Sequence, residues 1–139
     1  MATATPSGSP VFLYDGDCAF CTRCARFIER RIPTRATVIP WQVVDLDALG
    51  LTVAEADAAV QWIPDSDGPA RAAGAPAAGP EAIAQLLVDA GGIWRLLGVA
   101  LGLRPVVALA WPVYRWVARN RHRMPGGTAA CSLPAAQRR

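Results

Sequence analysis

The sequence predicts an α/β domain, a small mixed sheet flanked by helices, with an added helical extension at its C-terminal end. Three observations carry this. The apolar, β-favouring run Val11-Phe12-Leu13-Tyr14 is cut off by Asp15-Gly16-Asp17 and passes directly into a helical pattern. Two further runs of strand length, residues 36–44 and 59–63, follow with short helical turns between them. From Gly79-Pro80 onward the apolar spacing is helical to about Asn120. The chain of 139 residues, 53% hydrophobic and 18% charged, is large enough for one buried core.

Each element has a local reason. The first strand, residues 10–14, ends at a tight turn. A helix is expected from about Cys18, with Asp17 as its N-cap. Phe20, Cys24, Phe27 and Ile28 recur at helical spacing and predict a buried stripe, on which Cys24 would be a small apolar side chain. Pro33 stops this helix near Ile32. In the second strand, 36–44, Pro40 demotes the early part to an edge or a bulge. Residues 45–59 predict one or two helical turns, and 59–63 a third strand. Pro64-Asp65-Ser66-Asp67-Gly68 is a turn, after which a short fourth strand near residues 70–73 or a loop is expected. Pro80 stands at the first position of a helix over 81–90 that Gly91-Gly92 ends, and helices over 93–101 and 106–120 follow. The domain is expected to span residues 11–123, between flexible tails at 1–10 and 124–139.

Charge and targeting features narrow the class. All 14 basic residues are arginine, and the net charge of +3 does not call for a nucleic-acid partner. The first ten residues hold neither a basic start nor an apolar run, so a cytoplasmic location is expected. In that reducing compartment, closely spaced cysteines serve redox chemistry or metal binding rather than stapling. The apolar stretch 93–117 is broken by Arg95, Arg104, Arg115, Pro105 and Pro112. Its longest charge-free run is ten residues, against the roughly 20 that a spanning helix needs. Two helices packed on the core are expected, with a membrane-peripheral interaction module as the alternative.

The chemistry centres on Cys18-Ala19-Phe20-Cys21. At a helix start, free amides and the helix dipole favour a thiolate, and i, i+3 spacing lets the second sulfur reach the first. Cys18, open to solvent, is the expected nucleophile. Cys21, one turn inside, is the expected resolving thiol, and no cofactor is expected. Asp17 opposes thiolate formation by its charge. Asp15 either accepts the Cys21 proton through water or only fixes the turn through backbone amides. Cys24 extends the pattern to Cys-x-x-Cys-x-x-Cys, which raises zinc or iron–sulfur binding by Cys18, Cys21 and Cys24. A helical backbone sends those three sulfurs to different faces, so no metal is expected. Cys131 reads as a free thiol in the tail, with a third redox partner near Cys18 as the sharper reading. The cluster Arg115, Arg119, Arg121, His122 and Arg123 reads as a solvated helix end, with an anion site as the alternative.

The segment Leu13-Tyr14-Asp15-Gly16-Asp17-Cys18-Ala19-Phe20-Cys21 resembles the signature of the DCC family of thiol-disulfide oxidoreductases, named for Asp-x-x-Cys-x-x-Cys. Residues 79–87, from Gly79-Pro80 to Leu86-Leu87, resemble that family's glycine-led helix, and Tyr114 to Arg123 its closing Tyr and Arg-Asn-Arg helix. The resemblance spans roughly residues 11–123. It implies a thioredoxin-like fold, Asp15, Cys18 and Cys21 as the motif residues, and a protein or small-molecule thiol or disulfide as substrate. Thioredoxins proper carry a proline before the third strand; Ala58-Ala59-Val60 has none.

Overall fold

The computed structural model describes residues 9–64 and 76–123, apart from the side chain of His122. Its centre is a four-stranded sheet of order β2-β1-β3-β4. Strand β1 (Val11–Tyr14) runs parallel to β2 (Thr37–Pro40), and helix α1 (Ala19–Arg31) makes the crossover between them. Strand β3 (Gln61–Ile63) pairs antiparallel with β1 and with β4 (Ala77–Ala78). Helix α2 (Val53–Ala58) precedes β3, and α3 (Pro80–Ala90) follows β4. This is a thioredoxin-like arrangement, as expected.

Alternation along β1 builds the two halves of the core. Val11 and Leu13 face Trp41, Val44, Leu46 and Ala56 on one side of the sheet. Phe12 faces the other side, against Trp62, Ala82 and Leu86. Helix α2 starts at a capping box: Thr52 Oγ1 accepts from the Glu55 N–H while the Glu55 carboxylate accepts from the Thr52 N–H. At the foot of α3, Asp89 accepts from the Thr34 hydroxyl at 2.7 Å and from the Arg35 N–H at 2.8 Å, tying α3 to the connection leading into β2.

Some boundaries differ from the sequence expectation. The N-cap of α1 is Cys18, not Asp17. The Asp15 carboxylate accepts the Asp17 N–H at 3.1 Å, which folds Asp17 into the turn instead. Strand β2 stops at Pro40, on the sheet edge, and Trp41–Val43 turns as a short 3₁₀ helix. The fourth strand lies at Ala77–Ala78; residues 70–73 and both predicted tails from Met1 to Gly8 and from Met124 onward are outside the described residues.

Two more helices follow, α4 (Gly92–Leu101) and α5 (Arg104–Asn120), bent by 85° relative to each other. Helix α4 lies directly on α3 because position 98 has no side chain. A Cβ there would sit 2.7 Å from the Ala84 carbonyl oxygen and from the Val88 nitrogen. Helix α5 returns to the sheet at two points. The Trp111 ring covers Gly79, whose φ of +59° and whose 2.7 Å clearance from that ring both require glycine. The Tyr114 hydroxyl accepts the Val60 N–H at 3.0 Å. The packing of α5 is slighter than expected, for none of its residues is fully buried.

Candidate active site

The turn after β1 brings a carboxylate, a cysteine pair and a distant arginine together. Asp15 is buried at 4% exposure, and its Oδ1 also accepts from Gln42 Nε2 at 2.8 Å. Gln42 Oε1 in turn accepts the Gly16 N–H at 2.9 Å, so one glutamine side chain clamps both sides of the turn. The other oxygen, Asp15 Oδ2, lies 3.5 Å from Arg121 Nη2. Arg121 Nη1 then points to Cys21 Sγ at 3.7 Å. A chain of contacts therefore runs from the 3₁₀ turn through Asp15 and Arg121 to the second cysteine of the motif.

Cys18 and Cys21 occupy the N-cap and the third residue of α1. The expectation that Cys18 is open to solvent is corrected: its exposure is 0%. Cys18 is disulfide-bonded, which itself shields the sulfur, whereas Cys21 and Cys24 are free thiols. Cys21 is half-buried. Burial pushes its pKa above the ordinary 9.0, Arg121 opposes that rise by charge and by its hydrogen bond, and Asp15 adds to it.

Cys24 also departs from expectation. It is exposed rather than part of a buried stripe. On α1 only Ala25 is buried, because the neighbouring helix α5 does not close against this face. Between the two lies an open groove of about 760 Å³, walled by Phe20, Cys24 and Phe27 on one side and Val113 and Val117 on the other, with Cys21 in its lining. Partial enclosure by these walls raises the Cys24 pKa, while Arg23 lowers it. Among the described residues, no three His, Cys, Asp or Glu side chains converge as metal ligands. Cys131 lies outside the described residues.

The family model for DCC1-like thiol-disulfide oxidoreductases matches residues 12–127. The chain belongs to this family. No curated protein and no solved structure matches the chain. As a DCC1-like protein it carries a redox assignment, and its structure adds partners that spacing alone did not reveal. Arg121 stands 100 residues from Cys21, within a basic cluster read as a solvated helix end. Tyr114 is half-buried, its partial burial raises its phenol pKa, and its hydroxyl takes up the backbone donor just ahead of β3. The resemblance of the Tyr114–Arg123 segment to the family's closing helix was the one sequence signal for both residues. Arg115 and Arg119 stay outside the site: Arg115 lies over the Trp111 ring at 5.1 Å, and Arg119 Nε donates to the Arg115 carbonyl oxygen.

The exposures predict an order of alkylation in the native protein. Cys24 should react with iodoacetamide first, Cys21 severalfold more slowly, and Cys18 only after reduction or unfolding. Both free thiols are shifted upward, so their rates should keep climbing beyond the ordinary thiol value of 9.0. Peptide mapping after a timed quench reads the order. Rapid native labelling of Cys18 would contradict it.

Proposed function

We propose that the protein is a thiol-disulfide oxidoreductase working through Cys18 and Cys21, with a protein or low-molecular-weight thiol or disulfide as substrate. The observation that carries this reading is the Arg121 guanidinium, held by buried Asp15 at 3.5 Å and directed at Cys21 Sγ at 3.7 Å. A fixed cation beside a thiol favours its ionised form, which is the nucleophile in exchange. Arg121 offsets part of the burial that otherwise keeps Cys21 protonated.

The exchange proceeds in two displacements. The Cys18 thiolate attacks a substrate disulfide, forms a Cys18–substrate bond and expels the first substrate thiolate. Cys21 then loses its proton to solvent, and its thiolate attacks Cys18 Sγ. The Cys18–Cys21 bond forms, the second substrate sulfur leaves as thiolate, and solvent protonates it. The substrate disulfide is reduced by two electrons and the pair is oxidised. Asp15 accepts from the Asp17 N–H and from Gln42 and pairs with Arg121, and its part is to hold Arg121 over the sulfur.

Equilibration of the purified protein in glutathione buffers of graded ratio, with acid quench and peptide mapping, tests this. A Cys18–Cys21 disulfide should appear and disappear across one two-electron transition. Its absence at every ratio would sink the reading.

A further inference from the structure

The exposed apolar surface of α4 and α5 lies outside the contacts that join Asp15, Arg121 and Cys21, and on α5 it runs up to the rim of the groove, which Leu109 and Val113 also line. Helix α4 meets α3 along the side that carries Gly98. Half a turn round the helix from Gly98 are Ile93 and Leu96, 70% and 71% exposed. Helix α5 meets the sheet through Tyr114 and Trp111, and its opposite side presents Leu109, Val113 and Trp116, each more than half exposed. A helix on a globular protein ordinarily turns its polar face to solvent. Here the outward face is apolar on two consecutive helices, and patches of this kind mark interaction surfaces.

Charge decides what fits it. All eleven acidic residues of the chain lie at or before Asp89. The fifty residues after it carry eight of the fourteen arginines and no carboxylate side chain. Arg104, Arg115 and Arg119 are exposed on α5 alongside the apolar side chains. The complementary surface is therefore anionic at its face and apolar beneath. A second copy of the chain would set this arginine-rich surface against itself. A nucleic acid would leave Ile93 and Leu96 facing water.

We propose that α4 and α5 dock the protein on an anionic lipid bilayer, lying in the headgroup layer with Ile93, Leu96, Leu109, Val113 and Trp116 inward and the arginines at the phosphates. Exposed Trp116 suits that depth. Among the described residues no single helix is long and apolar enough to cross a membrane, and the 85° bend lets both helices lie in the surface plane.

Co-sedimentation of the full chain with vesicles of phosphatidylcholine and phosphatidylglycerol, against phosphatidylcholine alone, tests the docking. The chain should pellet with the anionic vesicles only, and added salt should release it. Arg104→Gln with Arg119→Gln should weaken binding by about thirtyfold. Leu96→Glu with Trp116→Glu should abolish it, while melting curves and glutathione exchange stay at wild-type values in both variants. Failure to pellet, equal binding to both vesicle types, or unchanged binding by the arginine pair would overturn the proposal. So would a dimer in solution that Leu96→Glu dissolves, since the surface would then be covered by a second copy.

Discussion

Cys21→Ser, reduced and desalted, should accumulate a stable mixed disulfide with glutathione through Cys18, and its turnover on glutathione-mixed disulfides should fall at least about hundredfold. The reason is intramolecularity. Cys21 sits on the same helical turn as Cys18, so its attack needs no second encounter. Without it, release of Cys18 depends on an external thiol. Cys18→Ser should lose turnover as well, but without the adduct. Peptide mapping after incubation with oxidised glutathione distinguishes the two variants, because exposed Cys24 can take up glutathione in either and only the site of the adduct is informative. Equal adduct formation at Cys21 in Cys18→Ser would reverse the assigned order of attack. Cys21→Ser should not disturb the fold by more than about 1 kcal/mol, because serine is close in volume and the first-turn backbone geometry stays the same.

What could be read from the chain, and what could not, follows the range of each interaction. The strand at Val11–Tyr14, the turn at Asp15-Gly16-Asp17 and the helix behind it are set by side chains within a few residues of each other, so local pattern suffices. The same holds for Pro80 at the start of α3 and Gly91 at its end. Position along a helix is local, but burial is not. The stripe of Phe20, Cys24, Phe27 and Ile28 was placed correctly on one face of α1, yet whether that face meets a partner depends on where α5 comes to rest. Phe27 is 55% exposed because a groove, not a packed helix, lies in front of it. The N-cap likewise turned on a contact from outside the helix, the Asp15 carboxylate capturing the Asp17 amide. Gln42 and Arg121 belong to the site through separations of 27 and 100 residues. No spacing rule reaches that far, and an arginine among arginines carries no individual mark.

Arg121→Gln should slow exchange at neutral pH by about tenfold, the scale of one hydrogen bond to a charged group. The direction follows from the balance at Cys21. Burial raises that thiol's pKa above 9.0, and Arg121 is the main influence lowering it, by charge and by its hydrogen bond. Glutamine fills similar space and can donate to the sulfur, but it carries no charge. The Cys21 pKa should then rise further, and less thiolate should be present at any pH below it. The pH–rate profile separates this from simple damage to the fold. In Arg121→Gln the rate should climb to higher pH and converge on wild type once both thiols are ionised. A loss of equal factor at every pH would show that Arg121 only supports the structure. Arg121→Lys should recover part of the rate, since it restores the charge without the two-pronged contact to Asp15 and Cys21. Stability should respond with a definite sign. A thiol whose pKa is higher when folded than when unfolded contributes stability that is complete below the unfolded value. That contribution is lost as pH rises from 9.0 through the folded value. Both proteins should therefore weaken in the alkaline range, and Arg121→Gln by more. At neutral pH the same variant should lose about 2 kcal/mol from leaving the buried Asp15 carboxylate without its cation, with Gln42 and the Asp17 amide still holding it. Denaturant melts of both proteins at pH 7 and pH 10 would measure the two contributions separately.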